Sequence, residues 1–163
     1  GFMKNKINLL IILVTSFMHS QMLSESRIFN TYINENVAQI DIMELNGNKP
    51  FELLGTLHYG GKWPRNRSSG NKMKLAKGTY GDKFHTFGIE WVEGEIRWTL
   101  DGKIWQKQKK WSTSEASFPA PFDQEFHLLL NVAVGGRFVG PPSGETYFPV
   151  QMEVDWVRVY KHK

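Results

Sequence analysis

At 163 residues, 40% of them apolar and 13% aromatic, with a formal charge of +4, the chain is sized for one globular domain and is too apolar for general disorder. The lack of cysteine excludes a disulfide scaffold, a thiolate metal site and a catalytic thiol. Lys and Arg are spread along the chain, with only short clusters such as Lys107-Gln108-Lys109-Lys110, which reads as a solvated basic surface and not as a nucleic-acid footprint.

In chain order, Met3-Lys4-Asn5-Lys6 is basic, Ile7 to Val14 is apolar apart from Asn8, and Thr15 to Ser20 turns small and polar. This is signal-peptide grammar, with Ser20-Gln21 as the cleavage point. The apolar run falls far short of the ~20 residues that span a bilayer. Residues 1–20 are therefore expected to form a signal-peptide-like segment of a secreted or periplasmic protein with no stable membrane insertion. The other reading of the same run is a hydrophobic strand or helix of the fold. Residues 21–36 show no clear period and are expected as an irregular lead-in.

From Val37 the sequence reads as short strands separated by turns. Val37 to Leu45 is apolar and β-prone, Asn46-Gly47-Asn48 signals a turn, and Phe51 to Tyr59 is a second strand. Gly60-Gly61 opens a polar stretch, read as a long loop through Asn71. Phe84 to Val92 alternates, Glu93-Gly94 turns into Glu95 to Leu100, and Asp101-Gly102 is a strong hairpin signal leading into Lys103 to Gln106. Phe126 to Val134, Gly135-Gly136 and Val150 to Tyr160 complete the set. Nothing after residue 20 has a convincing helical period, so residues 37–163 are expected to form one all-β domain, an antiparallel sandwich or barrel.

The stretch that carries chemistry is Gln39-Ile40-Asp41-Ile42-Met43-Glu44. Side chains alternate along a strand, so Gln39 and Asp41 share one face while Ile40 and Ile42 enter the core. Strict alternation would send Glu44 into the core as a costly unpaired carboxylate. A β-bulge at Ile42-Met43 returns it to the polar face, so that three polar groups line one open surface. Retaining glycoside hydrolysis needs such an array: one carboxylate attacks the anomeric carbon and another, ~5–5.5 Å away, protonates the leaving oxygen and then activates water. A carboxyl between them tunes both. Taken alone, an Asp and a Glu three apart on an exposed strand are ordinary solvated residues.

The hexapeptide resembles the E-I-D-I-M-E signature of glycoside hydrolase family 16, the laminarinase-type enzymes, with Gln39 in place of the first Glu. Gly55-Thr56-Leu57-His58-Tyr59-Gly60, Phe84 to Trp91, Ile96 to Lys103, Leu130 to Gly136 and Val154 to Tyr160 are similar, in order, to later strands of that family. The resemblance implies a concanavalin-like jelly roll acting on β-1,3- or mixed-linked β-glucans with retention. A polysaccharide is the implied partner, the protein is expected as a monomer, and no cofactor is required. Position by position, Glu44 resembles the acid/base, Asp41 the helper carboxylate and Gln39 the nucleophile position. His58 is similar to a cleft histidine, Trp63 to a sugar-stacking residue and Asn131 to a cleft residue; structural roles are the other readings of all three. Trp91, Trp98 and Trp156 are expected in the core. Asp155 resembles a position that helps bind a structural calcium in some members.

Two features depart from the family pattern. Gln39 cannot form a glycosyl ester, so hydrolysis is expected to be impaired, and a lectin-like β-glucan binder or a truncated fragment are the alternatives. Only residues 21–36 separate the leader-like segment from the catalytic strand, so the sandwich is expected to lack N-terminal strands and to leave open edges and an exposed apolar face.

Overall fold

A computed structural model describes residues 9–16, 24–32, 38–61, 64–114, 116–142, 148 and 151–161. Among the described residues the structure is all strand, in two antiparallel sheets. The strands are β1 (Leu9–Ser16), β2 (Ser24–Tyr32), β3 (Ala38–Asn46), β4 (Glu52–Tyr59), β5 (Arg67–Lys74), β6 (His85–Val92), β7 (Glu95–Leu100), β8 (Lys103–Gln108), β9 (His127–Val134) and β10 (Glu153–Lys161). One sheet, here called A, runs in the order β10-β1-β6-β7-β8, and sheet B runs β5-β4-β3-β2-β9.

The core lies between the sheets. From sheet B, Ala38, Ile40, Ile42, Met43, Leu53 and Leu57 meet Phe87, Ile89, Trp91, Ile96 and Trp98 of sheet A. Alternation along each strand supplies this face, and burying each large apolar side chain contributes about 1.5–3 kcal/mol. The buried indoles have acceptors for their N–H groups: Trp91 Nε1 donates to the Phe122 carbonyl at 3.0 Å and Trp98 Nε1 to the Asp41 carbonyl at 2.9 Å. Trp156 is only half-buried, and the Arg158 guanidinium sits over its ring at 4.4 Å, so the expectation of a core tryptophan does not hold there. The β7–β8 hairpin turns at Asp101 (φ 49°) and Gly102 (φ 76°), the left-handed pair that its Asp-Gly sequence suits.

Three segments differ from the sequence reading. The apolar run read as a leader forms β1, paired with β6 on one side and β10 on the other. A short continuous apolar run suits the composition of a sheet strand as well as that of a leader. Removal at Ser20-Gln21 would take β1 away and leave β10 without its neighbour in the sheet. The expected lead-in contains β2, whose sequence SESRIFNTY lacks apolar alternation; its strand conformation follows from pairing with β3 and β9 along both edges. The expected loop through Asn71 contains most of β5. It is a polar edge strand, hydrogen-bonded to β4 along its length, with Met73 reaching the core.

At one flank the sheets are tied by side chains. Gln106 Nε2, on buried Gln106, donates to the Gly55 carbonyl at 3.1 Å, and Gln108 Nε2 donates to the Ser69 carbonyl at 2.9 Å. The other flank ends in β9 and β10, where Leu130, Val134, Val157, Val159 and Tyr160 are exposed.

The outer face of sheet A carries a charge cluster. Glu95 is surrounded by Arg97, Lys109 and, at 3.5 Å, Lys107, while Arg97 also reaches Glu90 at 3.0 Å. The Lys109 hydrogen bond leads in pushing the Glu95 carboxyl down to about 2, against a smaller opposing effect of burial. A carboxyl depressed in the folded state stabilises fully above its ordinary value of 4.5 and loses that contribution as pH falls toward 2. Glu95→Gln is therefore expected to lower the thermal midpoint modestly at neutral pH and to flatten its decline between about pH 4.5 and 2. The effect is modest because the Lys partners are half-solvated. Scanning calorimetry from pH 2 to 7 checks this; an acid limb as steep as the parent's would refute it.

Candidate active site

The bulge in β3 builds the site. Asp41 pairs with Thr56 of β4 and Glu44 pairs with Leu54, so Ile42 and Met43 together stand opposite Gly55. On the β2 side Phe29 pairs with Asp41 and Ile28 with Met43, leaving Ile42 as the extra residue. Ile42 and Met43 both enter the core, and Glu44 returns to the outer face beside Asp41 and Gln39. The driving force is close to the one the sequence implied: two apolar side chains join the core, while the carboxylate, itself buried, is placed against a hydrogen-bond donor instead of among them.

On that face the groups form a connected row. Asp41 is 0% exposed. Its Oδ1 accepts a hydrogen bond from Gln39 Nε2, and its Oδ2 lies 3.0 Å from Nε2 of half-buried His58. Gln39 and His58 face each other directly across β3 and β4. Glu44 is 5% exposed, and its Oε2 accepts a hydrogen bond from Thr56 Oγ1 at 2.9 Å. The row is anchored from beneath by the Trp98 indole, which crosses the core to the Asp41 carbonyl.

Gly55 makes this anchor fit. A β-carbon there would lie 2.6 Å from Trp98 Cδ1 and 2.7 Å from Trp98 Nε1, inside a packed core. Gly55→Ala is expected to cost about 1–3 kcal/mol and to displace the indole from the Asp41 carbonyl. Chemical denaturation together with indole N–H exchange would check it. A variant as stable as the parent, with the indole proton equally protected, would show that the core can yield.

The remaining expected site residues fall in different places. Asn131 is exposed on β9, opposite Arg27 of β2, which in turn pairs with Glu44, so it lies on the same cross-strand row as Glu44, two strands away. Trp63 lies outside the described residues. Asp155 is exposed on the edge strand β10, and among the described residues no group of three or more His, Asp or Glu side chains gathers to hold a metal ion.

Sequence reading missed Thr56, which touches Glu44, and the second duty of Trp98, which was assigned to the core alone. The pairing of Thr56 with Asp41 would have flagged it, but only once the register across the bulge was known. At one end of the face, Glu52 is buried against Lys72 (2.9 Å) and Lys74 (3.5 Å), and the Lys72 hydrogen bond leads in holding its carboxyl below the usual range. At that end too, Asn46 Nδ2 donates to the Phe138 carbonyl at 3.0 Å and Asn48 Nδ2 to the Val139 carbonyl at 3.0 Å, pinning the turn after β9.

In chemical terms Glu44 can give and take a proton, Asp41 is a buried carboxylate that accepts from Gln39 and lies beside His58, and Gln39 offers an uncharged amide.

Comparisons with known proteins agree with this architecture. The chain is 38% identical over 148 residues to glucan endo-1,3-beta-glucosidase A1 of Niallia circulans, covering 87% of this chain and 21% of that protein. It is 33% identical over 130 residues to a beta-1,3-glucan-binding protein of Penaeus monodon, covering 65% of this chain and 35% of the relative. The laminarinase catalytic domain of Thermotoga maritima superposes with a TM-score of 0.78 at 27% identity, covering 96% of this chain and 64% of that one. The chain thus spans less than two thirds of each of these relatives. The family model for glycosyl hydrolases family 16 matches residues 13–158, and the chain belongs to that family.

Proposed function

We propose that this chain forms a β-1,3- or mixed-linked β-glucan cleft of the retaining kind, in which Glu44 is the acid/base, Asp41 the helper and Gln39 the occupant of the nucleophile position. Because an amide at that position cannot form the glycosyl ester, the chain binds glucan and turns it over several orders of magnitude more slowly than its Gln39→Glu variant would. The observation that carries this reading is the row itself: Gln39 donating to Asp41, and Glu44 held on the same face by Thr56.

Attack would come from position 39 on the anomeric carbon, with Glu44 protonating the departing glycosidic oxygen and then taking a proton from water. Asp41 sits between these groups and fixes their geometry. His58 stands 3.0 Å from Asp41 Oδ2, which accepts no hydrogen bond from the described residues, so a protonated His58 would offset the charge of the buried carboxylate. The reading carries export with it, since a β-glucan polymer is too large to cross a membrane intact.

A second reading, a non-catalytic glucan-binding protein, is favoured by Gln39 itself and by the similarity to a protein named for glucan binding. The experiment that separates the two is a reducing-sugar assay on laminarin with the parent and its Gln39→Glu variant, alongside calorimetric binding. Turnover in the variant alone supports the hydrolase cleft. Binding by both without turnover supports the binder, and absence of both sinks the glucan assignment.

A further inference from the structure

Thr56 and Gly70 stand opposite each other on β4 and β5, beside the carboxyl of Glu44. Thr56 stands opposite Asp41 on β4 and opposite Gly70 on β5. Its hydroxyl donates to Glu44 Oε2 at 2.9 Å, diagonally across the bulge. Gly70 leaves room for it: a β-carbon on Gly70 would lie 2.5 Å from the Gly55 carbonyl oxygen, 3.0 Å from Thr56 Oγ1 and 3.1 Å from Thr56 Cα. A side chain at position 70 would therefore press on the same threonine that reaches Glu44.

We propose that Thr56 is a positioning residue for Glu44, and that Gly70 is the gap that lets it stand there. A bulged strand does not by itself fix the direction of the side chain after the bulge, because the inserted residue loosens the local ladder. A threonine on the neighbouring strand does. Its β-branched side chain has few rotamers, and its hydroxyl holds one carboxylate oxygen, Oε2, at 2.9 Å. The hydroxyl also favours the ionised carboxylate, which Glu44 must become in the second half of a retaining reaction. This inference rests on the proposed acid/base role of Glu44 for its catalytic meaning, though not for its first test.

That test is a carbon-13 carboxyl titration of Glu44 in the parent chain, with the resonance assigned by Glu44→Gln. The charged and titratable positions around Glu44 on this face are Asp41 on β3, Glu52 and His58 on β4, Lys72 and Lys74 on β5, and Arg27 on β2 by register. Thr56→Val keeps all of them and the side-chain shape, and removes only the hydroxyl. It is expected to move the Glu44 midpoint upward by roughly one pH unit, whereas Thr56→Ser keeps it near the parent value. Gly70→Ala is expected to shift it in the same direction as Thr56→Val. An unmoved midpoint in Thr56→Val overturns the proposal, and an unmoved midpoint in Gly70→Ala overturns its steric half. In the Gln39→Glu background, Thr56→Val should lower kcat severalfold and carry the basic limb of the pH profile upward with the titration, with Thr56→Ser restoring both. If that background shows no turnover, the hydrolase reading fails while the titration still decides the positioning role.

Discussion

Gln39→Glu is expected to raise laminarin hydrolysis by on the order of 10⁴-fold or more over the parent chain, the scale on which loss of a catalytic nucleophile is felt. The change exchanges one side-chain atom, and the strand, the bulge and the indole beneath it are already in place. The physical consequence reaches beyond the reaction. In the parent, the Gln39 amide donates to Oδ1 of the buried Asp41 carboxylate, so the two groups meet without a shared proton. In the variant two carboxyls meet at that point, and one of them must hold a proton to higher pH than a lone carboxyl does.

The variant is therefore expected to be less stable than the parent at neutral pH. The sign follows from proton binding: a carboxyl whose folded-state value is raised makes the native state bind more protons than the unfolded chain, so stability falls as pH rises through the window above the unfolded value of about 4.3. The thermal midpoints of the two chains should converge near pH 4 and separate toward pH 7. The activity gain and the stability loss come from the same atom. A variant with neither a neutral-pH stability loss nor turnover would mean that position 39 does not face Asp41 as the geometry requires. Turnover with unchanged stability would mean that solvent or His58 absorbs the added charge.

Much of this site was legible in six residues. The apolar-polar alternation of β3 and the need to keep Glu44 out of the core together required a bulge at Ile42-Met43, and the bulge lies there. The Asp101-Gly102 hairpin and the core positions of Trp91 and Trp98 were legible for the same reason: local pattern and tertiary environment agree at these places. The misreadings fall where they disagree. β2 and β5 lack apolar alternation because they are strands by virtue of their neighbours, and a single sequence carries no record of pairing. The run Leu9–Ser16 satisfies the composition of a leader and of a sheet strand alike, since both call for unbroken apolar side chains. Thr56 was invisible for a related reason, because its importance depends on which residue of β3 it opposes, and the bulge shifts that register.

Glu44→Gln, made in the Gln39→Glu background, is expected to abolish laminarin turnover while leaving the first chemical step open to a substrate that needs no proton on its leaving group. In a retaining reaction the acid/base acts twice: it protonates the departing sugar oxygen, then deprotonates the water that releases the glycosyl ester. A glucan leaving group is a poor one and requires the first service, so the double variant should lose several orders of magnitude on laminarin. An aryl β-glucoside oligomer with an acidic phenol leaves unaided. The double variant should release one equivalent of phenol in a rapid burst and then stall, because water is no longer activated and the ester on the carboxylate introduced at position 39 accumulates. Mass spectrometry of the quenched protein should find that adduct. Loss of the burst along with steady-state turnover would move Glu44 out of the acid/base role, since a residue acting only through structure would not separate the two half-reactions. A burst followed by stalling would identify the two carboxyl positions by what each does: position 39 by the bond it holds, and Glu44 by the water it no longer activates.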